Sequence, residues 1–271
     1  MVLTVSLFLI LLIFVPETPR YLVMRNRDEE ALRLLGRLGL GDGAGKILDE
    51  IRETLKVKDA PWISYGGLLI LTGILLSVFQ QFVGINVVLY YAPEIFRNMG
   101  SGTNTSLLQT IIVGAVNLSF TLVAIYTVDR YGRKPLQIIG ALGMAVSMIG
   151  IGASFYLEHV GPGTLFFMLT YTASFGVSWG PVTWVLLSEI FPNKIRGAMS
   201  VAVAAQWIAN LLISWTFPMM NDNTWLTRQF HHGFAFWIYG AMGIVAAVFV
   251  WKLVPETRGK SLEEMENIWK K

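Results

Sequence analysis

The sequence predicts an all-α integral membrane protein, on three observations: long apolar runs, few charged residues and a one-sided distribution of basic residues. Of the 271 residues, 54% are hydrophobic and only 14% are charged, whereas a soluble domain carries about 25% charged residues. Such a chain has too little polar surface to meet water, so a lipid bilayer is its expected partner. It contains no cysteine, which excludes disulfides and thiolate metal sites.

Six apolar stretches predict membrane-spanning helices. About 20 helical residues cross about 30 Å of hydrocarbon, and each stretch reaches that length with any Lys or Arg confined to its ends. Residues 2–15 are apolar too, but the Pro-Glu-Thr-Pro that follows them is no signal-peptide cleavage site. We interpret them as the end of a spanning helix that begins upstream. The six stretches are residues 64–96, 107–128, 135–157, 164–187, 198–220 and 234–254.

The basic residues predict the orientation of these spans. When the spans alternate in direction, 19 of the 21 Lys and Arg fall on one side, in residues 16–63, 129–135, 188–197 and the tail from Lys252. The positive-inside rule makes that side, and the C-terminus, cytoplasmic. The same distribution argues against nucleic-acid binding, because the charge is divided among loops instead of forming one basic face.

Residues 16–63 form the one long polar stretch. Leucines and isoleucines recur there at helical spacing, which predicts two amphipathic helices joined by a glycine-rich turn at Gly39–Gly43. That turn is no phosphate-binding loop, because Leu40 and Ile47 replace a required Gly and Ser or Thr. The predicted organisation is the end of a span (1–15), linker helices (16–63), a six-helix bundle (64–254) and a cytoplasmic tail (255–271).

Three groups of polar and aromatic residues interrupt the spans. A polar side chain facing lipid costs free energy, so it turns toward a partner helix or a cavity. Interhelical hydrogen bonding and interfacial tryptophans are the alternatives, but the Gly and Pro beside these residues favour a cavity at broken helices. The groups are Gln80, Gln81, Asn86 and Tyr90 around Gly84; Trp184 after Gly180-Pro181; and Gln206, Trp207 and Asn210, with Asn117 adding one more amide.

The chemistry of these side chains predicts a neutral, hydroxylated ligand. Gln and Asn each offer donors and an acceptor to neighbouring hydroxyls, and an indole covers the apolar face of a sugar ring while its N–H donates. Nothing in the sequence suggests a nucleophile–base pair, a cofactor or a metal site. His231-His232 fall in a loop on the predicted outer side, where solvated histidines are expected.

Five motifs resemble those of the sugar porters of the major facilitator superfamily. They cover nearly the whole chain in the order and spacing of the C-terminal half of that family, and within it they are most similar to a bacterial proton symporter. They are PETPRYL at 16–22, QQFVGINVVLYYAPEIF at 80–96, DRYGRKP at 129–135, SWGPVTWVLLSEIFPNKIRG at 178–197 and PETRGKSLEE at 255–264.

The resemblance implies a fold and a set of site residues. The fold has twelve helices in two six-helix bundles that rock about a central sugar site, and this chain would hold the end of helix six, the linker helices and helices seven to twelve. Implied sugar partners are Gln80, Gln81, Asn86, Trp184 and Gln206, with Tyr90, Asn117 and Trp207 beside them. An implied cytoplasmic gate of charges comprises Asp129, Arg130, Arg133, Glu189 and Arg196.

Two departures from the family pattern bear on function. The chain lacks one residue after Gly197, which would rotate the start of the next helix by about 100° unless a loop absorbs it. It also lacks the N-terminal bundle, which in such symporters carries the proton-titrating Asp and another sugar-contacting Gln. We expect transport of a pentose such as D-xylose, or of a hexose, across a bacterial inner membrane, with the proton residues in a missing N-terminal half-transporter. Passive facilitation, sugar sensing and an inactive truncation are the alternatives.

Overall fold

The computed structural model describes residues 17–40, 43–56, 61, 65–98, 100, 102–191, 195–260 and 262–269. Within these residues every regular element is a helix, which confirms the predicted all-α class. The chain divides into two compact units, residues 1–60 and residues 61–271. The spanning segment predicted at residues 1–15 lies outside the described residues.

Among the described residues of the first unit there are three helices, the two amphipathic helices that were predicted and one more. They are α1 (Pro19–Met24), α2 (Asp28–Leu35) and α3 (Ala44–Lys56). The additional helix α1 forms because Thr18 caps its N-terminus, accepting from the Tyr21 N–H at 3.3 Å, and because proline suits the first helical position. A π-helical turn over Gly36–Leu40 follows α2, and Gly39 within it has φ +83°.

The second unit contains the spans. Its long apolar helices are α4 with α5 (Gly67–Phe82 and Ile85–Tyr90), α7 (Thr103–Tyr131), α8 (Arg133–Tyr156), α11 (Arg196–Asn221) and α13 (Phe234–Leu253). The stretch predicted at 164–187 is divided between two helices, α9 (Pro162–Val177) and α10 (Trp179–Ile190). Three short helices connect or follow the spans: α6 (Ala92–Asn98), α12 (Thr224–Phe230) and α14 (Leu262–Trp269).

Helix α8 packs between α9 and α13, and α4 packs along α11. Small residues let these backbones approach closely, as is usual between helices in a bilayer. A Cβ added at Gly152 of α8 would lie 2.4 Å from the Trp237 ring of α13, and one at Gly143 would lie 2.6 Å from Ser174 Oγ of α9. Helices α4 and α5 both contact α11, and α10 contacts α4.

Among the described residues, helices α7 and α11 are much less buried than the other long spans. In the apolar 18-residue stretch of each helix, only 11% of α7 and 28% of α11 is buried, against 50–56% for the other three long spans. Leu118 and Ile125 of α7 and Leu211 of α11 are each more than 60% exposed. Such surfaces suit lipid or another apolar helix bundle.

The break between α4 and α5 requires a glycine. Gly84 has φ +90°, a left-handed conformation that other residues rarely adopt, and the helix resumes at Ile85. There is also no room for a side chain at position 84, because an added Cβ would lie 2.8 Å from Cγ of Tyr239 and 3.2 Å from Cε of Met148.

Replacing this glycine should therefore destabilise the bundle through both strain and overpacking. We expect Gly84→Ala to lower the free energy of unfolding in detergent by about 2–4 kcal/mol, combining left-handed strain with a clash in a packed interior. Gly100→Ala is the matched control, since Gly100 has φ +87° but nothing lies within 4 Å of an added Cβ. Equal losses for the two variants would contradict the packing contribution.

Candidate functional site

The two helix breaks are joined by hydrogen bonds that run in both directions. The hydroxyl of Tyr171, on α9 before the second break, donates to the carbonyl oxygen of Val83 in the first break at 2.8 Å. Nε2 of Gln80, on α4 before the first break, donates to the carbonyls of Trp179 at 2.9 Å and Gly180 at 3.3 Å. Breaking a helix in an apolar interior leaves costly unpaired carbonyls. Tyr171 thus pairs a carbonyl freed by the first break, and Gln80 links that break to carbonyls in the first turn of the helix that follows the second break.

The second break lies two residues before the predicted Gly180-Pro181. Ser178 leaves the helical conformation with φ −130° and ψ −90°, and α10 begins at Trp179. Pro181 therefore sits in the first turn of α10, where its missing N–H needs no intrahelical partner. The Trp179 indole donates to the carbonyl of Gln137 at 2.8 Å, which anchors this turn to α8.

A cavity of about 270 Å³ opens where the two breaks face α11. Seven of the eight residues predicted to contact the ligand line it, together with Asn210, the third member of the group on α11. Asn117 is the exception. The predicted lining residues are Gln80, Gln81, Asn86, Tyr90, Trp184, Gln206 and Trp207; Asn210, Ile85, Leu89, Phe175 and Gly180 complete the wall.

The amides in this wall form a connected network. Asn86 Nδ2 donates to Gln81 Oε1 and, at 2.8 Å, to Asn210 Oδ1. Ser214 Oγ donates to the same Asn210 oxygen at 3.1 Å. In contrast, Gln206 Oε1 is buried and has no hydrogen-bond partner among the described residues. An unpaired buried acceptor costs about 1–3 kcal/mol, so a hydroxyl donated by a ligand or by water would stabilise this side of the cavity.

Aromatic side chains stand at the open side of the cavity. The exposed fraction is 41% for Trp184, 62% for Trp207 and 57% for Tyr90, although all three side chains line a site within the spanning part of the chain. None of the cavity's lining residues carries a charge at neutral pH. The arrangement offers amide hydrogen bonds from the inner wall and apolar rings from the open side, which is the chemistry of a neutral polyol.

Asn117 lies on α7 against α9, outside the cavity wall. Its Oδ1 is buried without a described hydrogen-bond partner and would lie 3.3 Å from a Cβ added at Gly176. Sequence reasoning also missed Phe175 and Tyr171 near the breaks. No local signal marks an aromatic residue in an apolar span as a wall or an anchor, because its partner is set by the tertiary fold.

A second group of residues, at the ends of α7, α8 and α10, brings together part of the predicted gate. Arg133 donates to both carboxylate oxygens of Glu189, at 3.1 and 2.8 Å, and contacts Asp129 Oδ1 at 2.9 Å. Arg130 lies outside this cluster, with its guanidinium 5.8 Å from the centre of the Tyr131 ring. The side chain of Arg196 lies outside the described residues.

The chain segment after α13 completes this cluster, a role that sequence reasoning did not assign. Thr257 Oγ1 donates to Glu189 Oε2 at 2.6 Å. The Glu256 carboxylate accepts from the backbone N–H groups of Arg133 and Lys134, both at 3.1 Å, at the start of α8. A carboxylate is favourable there, because the first N–H groups of a helix have no intrahelical acceptor and the helix dipole is positive at that end.

Removing the charge of the Glu256 carboxylate should destabilise the start of α8. We expect Glu256→Gln to lower the free energy of unfolding by about 1–2 kcal/mol, because charge-assisted hydrogen bonds to backbone N–H groups are lost. Chemical denaturation of the detergent-purified chain measures this. Glu158→Gln is the control, since that side chain is 72% exposed; a Glu256 variant as stable as the control would contradict the capping role.

Comparisons with known proteins agree with the geometry. The protein-family profile described as "Sugar (and other) transporter" matches residues 1–269. The chain is 55% identical over 267 residues to the D-xylose-proton symporter of Escherichia coli, covering 97% of this chain and 54% of that protein. It is 43% identical to the glucose facilitated diffusion protein of Zymomonas mobilis, covering 97% of this chain and 57% of that protein.

Solved structures show the same similarity. The major facilitator superfamily proton:xylose symporter XylE bound to 6-bromo-6-deoxy-D-glucose matches with a TM-score of 0.80 at 55% identity, covering 97% of this chain and 56% of that one. An inward-open structure of the E. coli protein matches with a TM-score of 0.79 at 53% identity, covering 97% and 54% of the two chains. The chain therefore spans about half the length of these relatives. It belongs to the sugar transporter family of the major facilitator superfamily.

Proposed function

We propose that this chain forms one half of a transport pathway for a small neutral sugar, a pentose such as D-xylose or a hexose. The observation that carries the proposal is the cavity at the two helix breaks, lined by amides and indoles and by no charged residue. Substrate sites of membrane transporters commonly lie at discontinuous helices near the bilayer midplane. The relatives whose names specify D-xylose and glucose support the substrate class.

In this proposal each group of the wall has a separate role. Gln206 accepts from a sugar hydroxyl, because its Oε1 is the buried oxygen left unpaired. Gln81 and Asn86 exchange part of their mutual hydrogen bonding for the sugar. Trp184 covers the C–H face of the ring. Gln80 acts mainly through the second break, since its Nε2 is already held by two carbonyls.

The remaining side of the site belongs to a second six-helix bundle. The aromatic wall is open, α7 and α11 expose apolar surface in the part of the chain that the structure describes, and the relatives are about twice as long. No carboxylate lines the cavity, so proton coupling would depend on titrating groups of that other bundle. Without such groups the assembled protein would be a passive facilitator, as the name of the Zymomonas mobilis relative indicates for that protein.

The charge cluster acts as a gate in this scheme. Arg133, Glu189 and Thr257 tie the ends of α8 and α10 to the segment after α13. The one-sided distribution of basic residues supports a cytoplasmic location for this end of the bundle and for the C-terminus. Separation of these contacts would accompany opening to the cytoplasm, while the sugar contacts remain those of the cavity.

Co-expression tests the proposal. The chain is produced with the N-terminal half of the E. coli D-xylose-proton symporter in a strain that lacks xylose uptake, and labelled D-xylose is followed. We expect uptake from the pair and none from either half alone. In the pair, Gln81→Ala should weaken the apparent affinity about 3- to 100-fold, because a lost or unsatisfied hydrogen bond costs about 0.5–3 kcal/mol. Trp184→Ala should weaken it at least as much.

The control is Gln229→Ala, which removes the same side chain from an exposed position on α12. It should leave uptake unchanged, and all variants should reach the membrane in equal amounts. Xylose uptake that is identical in Gln81→Ala, Trp184→Ala and the parent would show that the cavity is not the sugar site. Concentrative uptake by the chain alone would refute the need for a second bundle.

A further inference from the structure

The first unit contains a second cavity, of about 330 Å³, that the proposed transport function does not use. Its size is at the lower end of the range for small-molecule sites, about 300–1,000 Å³. All of its wall comes from residues 17–37, so it is complete within α1, α2 and the π-helical turn. The lining residues are Glu17, Leu22, Arg27, Glu30, Arg33, Leu34 and Arg37.

One arginine of this wall is already neutralised. Arg27 Nε and Nη2 donate to the two oxygens of Glu30 at 2.8 and 2.6 Å, and its Nη1 contacts Glu17 Oε2 at 3.1 Å. The hydrogen bond from Arg27 lowers the pKa of the Glu30 carboxyl, so Glu30 is ionised at neutral pH. These three groups therefore bind one another, and Glu30, which also attracts Arg33 electrostatically, gives its hydrogen-bonded contacts to Arg27.

The other two arginines of the wall remain available to bind a ligand. Arg33 and Arg37 are four residues apart, across α2 and the turn that follows, and both line the cavity. Within the described part of the chain neither forms an ion pair; Arg33 Nε makes only a long hydrogen bond, 3.4 Å, to the backbone carbonyl of Glu29. Like charges at this spacing destabilise a helix, so an anion between them would remove a repulsion as well as gain hydrogen bonds.

We propose that Arg33 and Arg37 bind a phosphoryl group in this cavity. A phosphate monoester carries about −1.5 to −2 charges at pH 7 and three acceptor oxygens, which matches two guanidinium groups in charge. Each guanidinium binds two oxygens in a planar fork, so one carboxylate is satisfied by one arginine, whereas a phosphoryl group can bridge two. The group comes either from a free phosphate or from the headgroup of an anionic lipid, since both present phosphoryl oxygens and basic segments bind anionic lipids.

Isothermal titration calorimetry tests whether the free anion binds. The full chain in a neutral detergent is titrated with inorganic phosphate. We expect saturable binding that weakens at least about tenfold in the double variant Arg33→Gln/Arg37→Gln, since two charge-assisted contacts are lost. The matched control is Arg20→Gln/Lys46→Gln, which removes the same charge from exposed positions of the first unit outside the cavity. It should retain the parent's affinity within about twofold.

Reconstitution into nanodiscs tests the lipid. Thermal unfolding is compared in discs of pure phosphatidylcholine and in discs that also contain phosphatidic acid, whose headgroup is a phosphate monoester. A higher melting temperature with phosphatidic acid that is lost only in Arg33→Gln/Arg37→Gln, without phosphate binding in detergent, assigns the lipid headgroup as the source. Phosphate binding that is lost only in that variant assigns the free anion. The proposal is overturned if neither probe affects the parent, or if the double variant and its control respond alike.

Discussion

The hydrogen-bonding requirement of a helix broken inside hydrocarbon is the constraint on which the rest of the structure depends. Interruptions at Gly84 and Ser178 free backbone carbonyls where no bulk water reaches them. Tyr171 supplies the missing donor to the Val83 carbonyl, and Gln80 donates to the Trp179 carbonyl at the start of α10, over sequence separations of 88 and 99 residues. The two breaks therefore stabilise each other, and neither is expected to persist alone. The cavity exists because the paired breaks hold polar side chains beside α11.

The separation of charged and uncharged polar groups follows from the same constraint. Full charges are found at span ends, where Arg133 and Glu189 pair and Glu256 caps the start of α8. The cavity instead relies on amides, which hydrogen-bond without the desolvation cost of an ion. One end of the bundle thus gains charge-dependent contacts that a conformational change can exchange, while the site keeps a neutral lining suited to a neutral solute.

The sequence predicted the spans and most of the wall because both depend on local composition. Gln80, Gln81, Asn86 and Gln206 were identified as amides in apolar surroundings, and the structure brings them together. The second break was predicted two residues too late because Pro181 ends a helical pattern but also suits a first turn. Tyr171 was missed, since one tyrosine in an apolar span carries no sign of a partner 88 residues away.

A comparison of two tyrosines tests the central claim most directly. Tyr171→Phe removes the hydroxyl that pairs the Val83 carbonyl, whereas Tyr239→Phe, in the control, removes a buried hydroxyl with no hydrogen-bond partner among the described residues. Measured as the free energy of unfolding in detergent, we expect a loss of about 1–3 kcal/mol for Tyr171→Phe, because a buried carbonyl is left unsatisfied. Tyr239→Phe should leave it unchanged or raise it, because that substitution removes a buried polar group that has no partner. Equal effects of the two substitutions would contradict the mutual stabilisation of the breaks.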